Sequence, residues 1–141
     1  MSSAFSSPDE LREVMDRVFS MMSEDPEMGP ALRDADVPQR FEFEDLDMVV
    51  NIRAARTGEP GTLHWQWSDR VGWEPRVLMT MSSDTANRYF QGKENVVVAI
   101  ARRRIRSGGD VKAALQLMPI VKPVFEWYRA MVAAEYPHLL V

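Results

Sequence analysis

Apolar residues near the start of the chain recur at helical spacing. Ser7-Pro8-Asp9-Glu10 opens this stretch with a cap residue, a proline at the first helical position and a glutamate three residues after the cap. Leu11, Val14, Met15, Val18, Phe19 and Met22 then form one stripe, which Asp25-Pro26 closes. Met28 to Ala35 reads as a short second helix, weakened by Gly29-Pro30. Residues 7–36 are thus an N-terminal helical segment, and residues 1–6 are expected to be a flexible tail.

From Arg40 the period falls to two. Phe41 and Phe43 alternate with charged residues, and Met48, Val50 and Ile52 continue the alternation after an irregularity at Asp45-Leu46. The glycines and proline of residues 57–61 predict a turn. Leu63, Trp65 and Trp67 share one face of the next strand, Asp69 to Gly72 reads as a second hairpin-like turn, and Val77–Met81 as a third strand. Short connections between these strands predict an antiparallel meander.

Ser82-Ser83-Asp84 starts a helix with Ala86, Tyr89 and Phe90 on its apolar side and Gly92 at its C-terminal cap. Residues 96–105 are ambiguous: Asn95 can cap a helical turn, whereas the β-branched composition favours a strand. Gly108-Gly109-Asp110 breaks the chain and caps a helix striped by Val111, Ala114, Leu115 and Met118, which Pro119 is expected to stop. A last helix carries Ile120, Val121, Val124, Tyr128, Met131 and Val132, with Pro123 tolerable only near its first turn. The order predicts an α+β domain, its helices gathered on one face of a mostly antiparallel sheet.

Composition narrows the function. A chain of 141 residues fits one domain, 1–141. It lacks cysteine, which excludes disulfides, thiolate metal sites and cysteine nucleophiles, and its net charge of -4 argues against general nucleic-acid binding. No apolar run approaches the roughly 18 residues of a membrane span. The start MSSAFSSPDE has neither a basic nor an apolar leader region, and Leu139-Leu140-Val141 matches no targeting tripeptide, so the expected location is the cytoplasm. The ten methionines and four tryptophans exceed what an ordinary core needs; methionine lines surfaces that adapt to variable shapes.

Candidate chemistry is sparse. His64 sits in a strand, away from the tryptophan face, and His138 in the C-terminal tail. The sequence contains no HExxH, phosphate loop, GxSxG or GxGxxG. Glu42 with Glu44, and Asp45 with Asp47, read as solvated charges, and Asp110 reads as a helix cap. No catalytic residue, metal ligand or cofactor is expected. The one concentrated charge is Arg102, Arg103, Arg104 and Arg106. It suits lipid headgroups or an acidic partner, or else an edge strand kept from pairing with other sheets.

The second half of the chain resembles the sterol carrier protein type 2 family. The resemblance rests on the strand Val77–Met81, Ser83-Asp84 opening a helix, Phe90-Gln91-Gly92-Lys93, Asn95 with Ala99, Ile105, and Gly109-Asp110 before Val111-Lys112-Ala113-Ala114-Leu115. It covers roughly residues 40–130. It implies a five-stranded, mostly antiparallel sheet covered by helices, with an apolar tunnel between the layers. It also implies a helix at Val96–Ala101, a strand at 104–107, no metal, and a fatty acid, acyl-CoA or sterol-like ligand. The family usually has glycine where this chain has Arg103, a position wanting positive φ.

Trp65, Trp67, Met79, Met81, Phe90, Ile100, Leu115, Met118, Val121 and Phe125 lie on apolar faces of elements that should meet, and are the candidate ligand wall. An empty pocket of about 300 Å³ would cost roughly 7 kcal/mol, so a real tunnel must be occupied, partly collapsed or flexible. The leading expectation is a non-enzymatic lipid-binding or lipid-transfer protein, with the arginines as headgroup or membrane contact. The alternative is an interaction module whose tunnel is filled by Trp65 and Trp67 and whose basic segment meets a protein partner. An enzyme on an apolar substrate ranks third, because it would need a polar group inside the pocket.

Overall fold

The computed structural model describes residues 3–141 of the chain. The first helix, α1 (Pro8–Glu24), begins where the Ser7 hydroxyl accepts the Glu10 N–H, with Pro8 in the first turn, and buries the apolar stripe from Leu11 to Met22. The short α2 (Met28–Ala35) does form despite Gly29-Pro30, because the Asp25 carboxylate accepts the N–H groups of Glu27 and Met28 at 3.0 and 2.8 Å. The expected tail is held down over residues 3–6: Phe5 is buried, and the Ala4 N–H donates to Asp84 at 2.8 Å. Burial of one aromatic ring and a bond to a helix N-terminus outweigh the polar composition there. Residues 1 and 2 of that tail lie outside the described residues.

Five strands form one sheet: β1 (Gln39–Phe43), β2 (Met48–Ala54), β3 (Leu63–Gln66), β4 (Val77–Met81) and β5 (Ile105–Gly109), in the spatial order β3-β2-β1-β4-β5. The irregularity at Asp45-Leu46 is a hairpin turn, so one expected strand is two, paired antiparallel from Phe43↔Met48 to Gln39↔Ile52. The expected meander is corrected at β4, which lies parallel to β1, with Gln39 opposite Val77 and Phe43 opposite Met81. Residues 67–76 are therefore a crossover and not a hairpin. They pass over the outer face of the sheet, where Ser68 and Asp69 carbonyls accept from Asn51 and Arg40 at 2.7 and 2.8 Å. The parallel pairing sets inward-facing Met79 and Met81 beside Phe41 and Phe43 at the centre of the sheet.

Helix α3 (Ser83–Phe90) starts at Ser82, whose hydroxyl accepts the Thr85 N–H, and is tied to the β1–β2 turn by Asp45, which accepts from the Ser83 N–H and hydroxyl at 2.8 and 2.6 Å. Residues 96–101 resolve as helix α4 (Val96–Ala101), with Asn95 accepting the Val98 N–H. It closes through Arg103 N–H to Ile100 C=O at 3.1 Å and Arg104 N–H to Ala99 C=O at 2.8 Å, with Arg103 at φ +61°. The arginine thus takes the left-handed conformation that the family's glycine would supply.

Helix α5 (Val111–Val121) is capped by Asp110, which accepts the Ala113 N–H. It runs through the exposed Pro119 instead of stopping there. The interruption comes at Lys122, after which Pro123 takes the first position of α6 (Pro123–Glu135), where a missing N–H costs nothing. A 3₁₀ turn, Pro137–Leu139, follows. Helices α1, α2, α3 and α5 meet the inner face of the sheet and enclose its core.

Candidate ligand-binding cavity

Between the inner face of the sheet and helices α1, α2, α3 and α5 lies a cavity of about 110 Å³. Alternation along the strands builds its floor: Phe41 and Phe43 from β1, Ile52 and Ala54 from β2, Met79 and Met81 from β4. Met15, Phe19 and Met22 reach it from α1, Tyr89 and Phe90 from α3, and Leu115, Leu117, Met118 and Val121 from α5. Five of the ten methionines (Met15, Met22, Met79, Met81, Met118) are in this wall. A wall so rich in unbranched, rotatable side chains widens or collapses at little cost. The present volume lies below the roughly 300 Å³ at which ligand pockets usually begin.

Of the ten wall residues expected from the sequence, Met79, Met81, Phe90, Leu115, Met118 and Val121 line the cavity. Trp65, Trp67, Ile100 and Phe125 do not. Both indole N–H groups donate to Asp16 of α1, at 3.0 and 2.7 Å, and the Phe19 ring meets Trp65 edge-on at 5.6 Å. The tryptophans therefore seal α1 to the sheet beside the cavity and do not fill it. Phe125 packs edge-on against Tyr89 at 5.3 Å, and Ile100 is half-buried against the core. The α1 stripe and the Phe41–Phe43 alternation carried the signal for the missed wall residues, but nothing local says which core residues border a void.

Three polar residues touch the cavity: Gln39, Arg53 and Tyr89. Arg53 alternates to the outer face of β2, opposite His64, and its guanidinium is occupied there. Both its terminal nitrogens donate to Glu59, at 2.7 and 2.9 Å, and it stacks over Trp73, 4.8 Å from the ring centroid. Hydrogen bonds from Arg53 and from the Arg56 N–H hold Glu59 down at about 2. Tyr89 is on the apolar side of α3, and burial alone pushes its hydroxyl up to about 12. Gln39 shares the inward face of β1 with Phe41 and Phe43.

The arginine segment divides. Arg104 donates to the buried Glu94 at 2.6 Å, as Arg88 does at 3.2 Å, and Arg106 pairs with Glu44 at 2.6 Å. Arg102 and Arg103 are exposed and carry no ion pair among the described residues. Next to them, Val97 and Val98 of α4 are 58% and 39% exposed. His64 stands 3.4 Å from Glu59, and His138 lies 2.7 Å from Glu10. Among the described residues, no three His, Asp or Glu side chains are grouped to hold a metal ion, and no helix is long and apolar enough to cross a membrane.

No protein-family model matches the sequence, and neither does any curated protein. Solved structures do match. The ubiquinone synthesis protein UbiJ-SCP2 superposes with a TM-score of 0.61 over 83% of this chain and 96% of its own, at 7% identity. Sterol carrier protein domain 2 of Helicoverpa armigera superposes with a TM-score of 0.57 over 89% of this chain and 96% of its own, at 17% identity. The chain has the sterol carrier protein type 2 fold. A stereoselective inverting sec-alkylsulfatase from a Pseudomonas species also matches, with a TM-score of 0.53 and 17% identity over 62% of this chain. The chain spans only 13% of that enzyme's length. At these identities the likeness is one of fold. In sterol-carrier terms, the cavity lies between the sheet and the helices that cover it.

Proposed function

We propose that the protein is a non-enzymatic carrier that binds and transfers an apolar lipid, a fatty acid, acyl-CoA or sterol-like molecule, held in the cavity beneath α5. The carrying observation is the methionine-rich void at the centre of a sterol-carrier fold, bordered by Met79, Met81, Phe90, Leu115, Met118 and Val121. A void in this position costs stability when empty and regains it when filled. The filled-tunnel alternative loses its support, because the tryptophans assigned to the filling are bonded to Asp16 outside the void. Native mass spectrometry with lipid extraction tests the reading. A co-purifying apolar molecule is expected, and it is lost in Met118→Trp, which fills the cavity. A clean unliganded mass, together with no binding of an uncharged fluorescent apolar probe below about 10 μM, at the weak end of what a modest pocket achieves, sinks it.

We assign the membrane contact to Val97 and Val98 with Arg102 and Arg103, an apolar tip beside cations that pair with no carboxylate among the described residues. Each arginine near an anionic bilayer contributes about 1 kcal/mol. Flotation with vesicles containing phosphatidylserine is expected and disappears with phosphatidylcholine alone or in Arg102→Glu/Arg103→Glu. Equal flotation of the variant would overturn the assignment.

A further inference from the structure

The wall of the cavity is chemically one-sided. Every charged side chain but one is absent from it, and that one, Arg53, turns its guanidinium to the opposite face of β2, where Glu59 and Trp73 occupy it. What remains inside is apolar surface, the Gln39 amide and the Tyr89 phenol. The phenol stays protonated across the neutral range because burial disfavours its anion, and no side-chain or backbone partner adds to that effect. A carboxylate drawn into such a space would leave water with no cation to meet it, and it would take up a proton instead. An uncharged hydroxyl or carbonyl gives up far less, and the phenol or the amide replaces its lost water.

From this arrangement we infer that the cavity selects uncharged amphiphiles, molecules with a long apolar body and a single hydroxyl or carbonyl end, over carboxylates with the same body. The inference rests on the carrier reading and narrows it: the polar end meets Tyr89 or Gln39, and no ion pair holds it. A fatty acid then enters only as its neutral form. With an ordinary carboxyl value near about 4.3, the neutral fraction falls about tenfold for each pH unit above that value.

Hexadecanol and palmitate, competing separately against a fluorescent apolar probe, distinguish the outcomes. Hexadecanol is expected to displace the probe at least about tenfold more effectively at pH 7.5, with an affinity flat from pH 6.5 to 8.5. Palmitate is expected to weaken by about tenfold per pH unit over the same range. Tyr89→Phe or Gln39→Leu should cost the alcohol about fivefold, whichever residue holds its polar end, and cost the neutral acid of palmitate by a comparable factor. Equal affinities with no slope for palmitate would overturn the selection while leaving the carrier reading intact, because the carboxylate would then sit outside the wall. Loss of alcohol affinity in neither variant would overturn the assignment of the polar end. Failure of both ligands and of the probe itself would remove the carrier reading and this inference with it.

Discussion

Arg103 holds its backbone at φ +61° to close α4, and an L-residue with a Cβ pays for that geometry with a clash that glycine avoids. The cost is about 1–2 kcal/mol, partly offset by the greater freedom glycine has in the unfolded chain. Arg103→Gly is therefore expected to raise the urea midpoint by about 0.5–1 kcal/mol equivalent at unchanged m-value, and an unchanged or lower midpoint would show that the arginine side chain compensates the strain. Glu59 carries the other residue-scale prediction. Its folded value is held down at about 2 by Arg53 and the Arg56 N–H, against an ordinary 4.5. The unfolded state binds more protons between these values. Its contribution is therefore complete above about pH 4.5 and is lost as the pH falls towards 2. Glu59→Gln should flatten the decline of stability in this window, measured by urea unfolding at stepped pH; an identical decline would place the acid sensitivity elsewhere.

At the scale of elements, two buried polar side chains fasten α3 to the C-terminal segment. Asn87 donates to the Leu139 carbonyl at 2.8 Å and accepts from the Tyr128 hydroxyl at 2.7 Å and the Gln91 amide at 3.0 Å. Gln91 in turn donates to Leu139 at 2.7 Å and accepts the Val141 N–H at 3.0 Å. Removing the shared partner strands the Tyr128 hydroxyl in the core and leaves the Leu139 carbonyl with Gln91 as its one remaining donor, so Asn87→Ala should destabilise by about 2–4 kcal/mol in chemical denaturation. A loss below about 1 kcal/mol would mean that the segment re-pairs without it. The local sequence around α3 made its apolar side legible through Ala86, Tyr89 and Phe90. Nothing local marks the roles of Asn87 and Gln91, because the backbone groups they bind, the Leu139 carbonyl and the Val141 N–H, lie 52 and 50 residues away. Likewise Pro119 reads locally as a stop, yet α5 continues through it, since packing of Leu117 and Val121 against the core rewards the extra turn.

For the whole molecule, a cavity of about 110 Å³ costs roughly 2–3 kcal/mol, a burden a small domain tolerates and a ligand relieves. A lipid present at a hundred times its dissociation constant should stabilise the fold by about 2.7 kcal/mol, read as a rightward shift of the denaturation midpoint. Met118→Trp should abolish that shift. A ligand-induced shift of equal size in the variant would locate binding outside the cavity. The crossover of residues 67–76 matters at this scale too. By returning β4 to the free edge of β1, it sets Met79 and Met81 beside Phe41 and Phe43, and so makes the centre of the cavity floor.

Caps, stripes and alternation are local, and they sufficed for nearly every element. Ser7, Ser82, Asn95 and Asp110 each begin a helix as their side chains require, and Phe41, Phe43, Met79 and Met81 each turn inward as a two-residue period requires. The resemblance carried by residues 77–115 added the helix at Val96–Ala101 and the strand that follows it. Strand pairing and the path of residues 67–76 depend on contacts between segments far apart in the chain, which no local period encodes. Whether an apolar residue borders a void or another side chain depends on the same distant contacts. Trp65 and Trp67 point inward as expected, but Asp16, on a helix the sequence could not orient, draws them to the cavity's flank.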